Sequence, residues 1–88
     1  MPRLKPWTPE RVAQRVRLLV DVHGAPNRFQ LNEVAGDANR VDVLAVSRIA
    51  RLQWWAVNKH LEGARLKAEY QVRQGDGCPA YITVAQTN

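Results

Sequence analysis

The 88-residue sequence predicts a small single α+β domain of three helices and a C-terminal β-hairpin. Three observations predict it. Residues 9–22 have a marked helix start and stop. Residues 40–66 carry no proline, no glycine but Gly63, and two apolar stripes at helical spacing. The last third changes to period two around a Gly-Asp-Gly loop. With a hydrophobic fraction of 45% and a charged fraction of 24%, the chain has enough apolar material for one core.

Residues 1–7 read as a basic arm, with Pro2 and Pro6 keeping it extended beside Arg3 and Lys5. The first helix starts after Thr8, whose hydroxyl suits an N-cap. Pro9 follows at N1, where its missing N–H costs nothing. Glu10 faces the positive end of the helix dipole. Trp7 and Val12 occupy hydrophobic-staple positions. Val12, Val16, Leu19 and Val20 form the apolar stripe, and Gly24 with Pro26 ends the helix.

Residues 24–39 admit more than one reading. Arg28-Phe29-Gln30-Leu31 alternates like a short strand, and Asn32-Glu33-Val34-Ala35 reads as one helical turn before Gly36. Asn39 then suits an N-cap, with Asp42 at N3. Val41, Ala45, Ile49 and Leu52 share one face of the next helix. Trp54, Val57, Leu61 and Ala64 share one face of the helix after it. The stripe changes direction between the two, which predicts a break near Leu52-Gln53-Trp54. Ala68, Tyr70 and Val72 then alternate with charged and polar residues. The loop Gln74-Gly75-Asp76-Gly77-Cys78-Pro79 leads to the strand Ala80-Tyr81-Ile82-Thr83-Val84. The domain is expected over residues 8–85, with 86–88 a polar tail.

Composition removes several function classes. Cys78 is the single cysteine, so no intrachain disulfide forms. One cysteine and two scattered histidines, His23 and His60, supply no zinc pattern, and no metal or cofactor is expected. The histidines are expected at the edge of the core. No apolar run approaches the ~18–20 residues of a membrane span. No secretory signal is recognisable, so cytoplasmic residence is expected. Nucleotide-binding glycine motifs are absent, and nothing resembles a nucleophile with its base, so an enzyme is not expected.

The net charge of +5 favours a polyanionic partner. It is unevenly spread: residues 1–30 hold six basic and two acidic residues, and residues 31–88 hold seven and six. The local pattern is therefore more informative. Arg40, Ser47, Arg48 and Arg51 gather on one side of their helix, opposite Val41, Ala45 and Ile49. No acidic residue falls between Val43 and Leu61. Guanidinium forks match phosphates and guanine edges, although a solvated face carries the same letters. On the following helix Trp55, Asn58, Lys59 and Glu62 point away from the apolar stripe. Trp55 is the odd residue there: it either packs on another element or anchors a partner.

The order helix, short strand, two helices, hairpin resembles the winged helix-turn-helix DNA-binding fold. The resemblance is carried by Ser47-Arg48-Ile49-Ala50-Arg51-Leu52, then Trp54-Trp55-Ala56-Val57-Asn58-Lys59-His60-Leu61, and by Arg65 to Tyr70 and Pro79 to Thr83. It covers residues 8–85 in order of elements and identifies no subfamily. It implies a DNA-binding protein, acting in transcription regulation, that inserts a helix into the major groove and contacts backbone with a hairpin wing. Gln53, Trp55, Asn58 and Lys59 would face the groove, and Arg48, Arg51 and Arg73 would contact phosphate. A second parse makes Asn32–Gly36 the positioning helix and Val41–Leu52 the recognition helix. The partner implied is double-stranded DNA, bound by a homodimer. Two other readings stand beside it: a basic module that binds an acidic protein, and an RNA-binding protein.

Overall fold

The computed structural model describes residues 7–35, 42–71 and 80–87, and side chains within these ranges except at 42–45. Among the described residues there are four α-helices, one 3-10 turn and three strands. The architecture is α+β, as expected, with one helix more than the three predicted.

Helix α1, Pro9–His23, forms where the local signals predict it. The Thr8 hydroxyl accepts the Arg11 backbone N–H at 3.2 Å. Trp7 packs against the core, and the Arg11 guanidinium lies 4.8 Å from its ring centre. The helix ends at Gly24, whose φ of 88° and ψ of 169° suit only a residue without a Cβ. The Gly24 N–H donates to the Val20 carbonyl at 2.7 Å.

Strand β1, Asn27–Gln30, runs directly into the short helix α2, Leu31–Ala35. Glu33 at the third position of α2 accepts the Gln30 backbone N–H at 2.9 Å, which is half of a capping box. Arg15 of α1 donates through Nε to the Glu33 carbonyl at 3.3 Å and ties the two helices together. Helix α3, Asp42–Ala50, precedes the turn 51–53 and helix α4, Trp54–Leu61. The predicted break between them is present. The Asn39 cap lies outside the described residues.

A 3-10 turn, Glu62–Ala64, and Arg65 with φ 57° connect α4 to β2, Leu66–Gln71. Strand β3, Tyr81–Gln86, extends through Gln86, the first residue of the segment read as tail. The sheet is antiparallel in the order β1-β3-β2, with β3 central. Phe29 stands opposite Ile82, and Ala68 opposite Val84. The loop tip of the hairpin, with Arg73 and Cys78, lies outside the described residues.

One sheet face and all four helices enclose the core. It holds Val12 and Val16 of α1, Leu31 and Val34 of α2, and Ile49 of α3. Val57 and Leu61 come from α4, and Phe29, Leu66, Ala68, Ile82 and Val84 from the strands. Each fully buried Val, Leu or Ile side chain contributes roughly 1.5–3 kcal/mol. Helix α4 packs chiefly against α1 on one side and β2 on the other. This placement leaves one side of α4 free to face outward. His60 lies on α4 and is exposed, not at the core edge as expected, and His23 is exposed with its ring 6.0 Å from that of Phe29.

Candidate nucleic-acid interface

The candidate interface begins at the end of α3. Ile49 is fully buried and anchors this helix, while Arg48 and Arg51 on either side of it are exposed. The Arg51 N–H is shared between the Ser47 and Arg48 carbonyls, each at 3.2 Å. Leu52 closes the turn by donating its N–H to the Ile49 carbonyl at 3.1 Å, and its side chain packs against the core. Packing of Leu52 thus turns the chain where no glycine or proline does. Gln53, with φ −80° and ψ 105°, is extended and occupies the N-cap of α4.

Trp54 and Trp55 are consecutive, so a helix sends their rings about 100° apart. Trp54 turns inward and stacks on Tyr70, with ring centres 6.3 Å apart and planes 3° from parallel. Trp55 turns outward and remains 60% exposed. Trp55 is thus not part of the core formed by the described residues.

Trp55 organises its neighbours on the outer face. Its indole Nε1–H donates to Gln53 Oε1 at 3.0 Å. One turn later, Lys59 Nζ lies 5.3 Å from the centre of the Trp55 ring. A cation over an exposed indole is worth roughly 0.5–1 kcal/mol. Gln53 makes no side-chain bond to the free N–H groups of its own helix, so its carboxamide serves Trp55 instead.

Asn58 departs from the expectation. It is half-buried and faces β2, not the outside. Its Nδ2 donates to the Ala68 carbonyl at 2.9 Å, and its Oδ1 accepts the Ala68 N–H at 2.7 Å. An edge strand exposes such backbone groups, and a carboxamide matches them in pairs. Asn58 is therefore a tie between helix and sheet, and the expected base contact is corrected.

The structure thus brings Gln53, Trp55 and Lys59 together and holds Arg48 and Arg51 exposed at the preceding turn. Arg40 and Arg73 lie outside the described residues, as do residues 1–6 of the expected arm at 1–7. Sequence reasoning did not find Arg28. On the sheet face away from the helices, its guanidinium lies 5.0 Å from the Tyr81 ring centre, and Gln71 Nε2 donates to Thr83 Oγ1 at 3.2 Å. The alternation of Phe29 with Arg28, and of Ile82 with Tyr81, is the signal that would have placed them there.

Among the described residues no three His, Cys, Asp or Glu side chains gather as a metal-binding group. No described helix is long and apolar enough to cross a membrane. No protein family matches the chain by sequence, and no curated protein or solved structure shows significant similarity to it.

Proposed function

We propose that this protein binds double-stranded DNA as a small winged-helix regulator, with α4 presented to the major groove. The observation that carries the reading is the outward cluster Gln53, Trp55 and Lys59 on a helix whose other sides are packed on α1 and β2. A helix entering a groove needs rigid support behind it and polar, cationic and flat groups in front. Arg48 and Arg51, exposed just before α4, supply guanidinium groups for phosphate on one side of such a groove. The order of elements and the three-stranded sheet with β3 in the centre agree with the winged-helix resemblance. A homodimer on paired half-sites belongs to the same proposal, as does a wing formed by the hairpin.

Titration of the full chain into fluorescent duplex DNA, duplex RNA of equal length and heparin, at about 50 and 300 mM salt, tests this reading. Tightest binding to duplex DNA, falling steeply with salt, supports it. Equal binding to all three polyanions, or none to the duplex at the lower salt, overturns it.

The exposure of Trp55 favours a second reading. A 60% exposed tryptophan ringed by polar groups also suits the anchor of a protein interface, here one that binds an acidic partner. Under that reading Trp55→Ala abolishes capture of the acidic protein, and duplex binding is weak throughout.

A further inference from the structure

We propose that Trp55 is a positioning residue that sets the Gln53 carboxamide to read adenine in an A·T pair. The proposal deepens the DNA reading above and rests on it. An indole N–H donates and never accepts. Its partner 3.0 Å away is therefore the Gln53 oxygen, and the opposite orientation would set donor against donor. The bond thus decides which end of the carboxamide faces the ring. Lys59, 5.3 Å from the ring centre, packs on the same indole and helps hold it in place.

The consequence is a fixed order of hydrogen-bonding groups. Gln53 Oε1 keeps one further lone pair, and Nε2 keeps both of its N–H groups. Gln53 is exposed at the N-cap of α4, and no backbone N–H of that helix consumes its side chain. An acceptor beside a donor complements the major-groove edge of adenine, where N6–H donates and N7 accepts. Guanine offers two acceptors on that edge, N7 and O6, which the locked oxygen cannot match. A glutamine without the indole is free to rotate and loses part of this discrimination through the cost of ordering it.

The test selects preferred sites from a randomised duplex library with the full-length wild type, Gln53→Ala and Trp55→Phe. Phenylalanine keeps a smaller aromatic ring under Lys59 and removes the indole donor. Far-UV circular dichroism establishes that each variant is folded, and binding is then measured on the selected duplex with 7-deazaadenine at its preferred adenine. The wild type is expected to prefer A·T over G·C at one position by about tenfold. That preference disappears in Gln53→Ala and drops several-fold in Trp55→Phe, while the salt slope stays the same in both because no phosphate contact changes. The 7-deaza base weakens the wild type and leaves Gln53→Ala unaffected. A site with no such A·T position, a preference that persists in Gln53→Ala, or one undiminished in Trp55→Phe, overturns the assignment and leaves the DNA reading standing. Failure of the wild type to hold any duplex overturns both.

Discussion

Asn58 and Ala68 join helix α4 to the outer edge of β2 through two hydrogen bonds, 2.9 and 2.7 Å long, made by the two ends of one carboxamide. Among the described residues, the backbone of β2 on that side has no neighbouring strand, because the sheet order is β1-β3-β2. Asn58 therefore completes the strand and sets the distance of α4 from the sheet. Asn58→Ala leaves both backbone groups of the buried Ala68 unpaired. It is expected to lower stability by about 1–3 kcal/mol in urea unfolding. Asn58→Asp is expected to cost no less, since a carboxylate cannot donate to the Ala68 carbonyl. A loss below about 0.5 kcal/mol in both variants contradicts the role described.

Arg65 is the described non-glycine residue with positive φ, at 57°, in the turn that delivers the chain from α4 to β2. Its side chain is exposed, so the conformation is held by the backbone bonds around it: Arg65 N–H to Glu62 and Thr87 N–H to the Arg65 carbonyl, at 3.0 and 2.7 Å. A left-handed residue with a Cβ costs roughly 1–2 kcal/mol. Arg65→Gly is expected to raise the unfolding midpoint, or leave it unchanged once the extra freedom of the unfolded glycine is counted. A clear fall in midpoint would mean that the arginine side chain holds the turn.

Trp54 Nε1 is buried and finds no hydrogen-bond partner among the described residues. Trp54→Phe removes that donor and keeps an aromatic ring against Tyr70. Its cost is expected within about 1 kcal/mol, because lost area is offset by the absence of a desolvated N–H. Trp54→Ala, which empties the place, is expected to cost about 3 kcal/mol. Thermal unfolding of the two variants side by side measures the difference.

Under the proposed function, Arg51 meets phosphate and no base. Arg51→Ala is expected to weaken binding to all duplexes alike and to reduce the slope of log affinity against log salt by about one. Anisotropy titrations on two unrelated duplexes across a salt series read both effects. A change confined to one sequence would move Arg51 from phosphate to base contact.

Thr8 caps α1 through a single 3.2 Å bond from the Arg11 N–H. Thr8→Ala is expected to cost about 1 kcal/mol, and Thr8→Ser to cost much less, in the same unfolding assay.

Much of α1 is legible from the letters because its signals are local. Thr8, Pro9 and Gly24 act on backbone groups within a few residues, and nothing distant alters them. The hairpin strands are legible for the same reason, since alternation follows from the strand itself. Strand β1 is ambiguous at four residues. Whether Arg28-Phe29-Gln30 extends depends on β3, which lies some 50 residues further along the chain. The break before α4 carries no glycine or proline. Only the change in stripe direction marks it, and Leu52 makes it by packing inward.

The site divides in the same way. The sequence by itself determined a helix with Trp55 and Lys59 on its polar side and basic residues at the turn before it, because helical periodicity is a property of the chain. Only the tertiary structure decided that Asn58 is spent on Ala68 while Trp55 stays outside. Helix α4 is buried from two directions, by α1 and by the edge of β2. Its apolar residues mark the core, but a polar residue facing a strand edge looks the same in sequence as one facing water. The unpaired backbone of an edge strand exists only once the sheet is assembled, so a partner for it can be recognised only there.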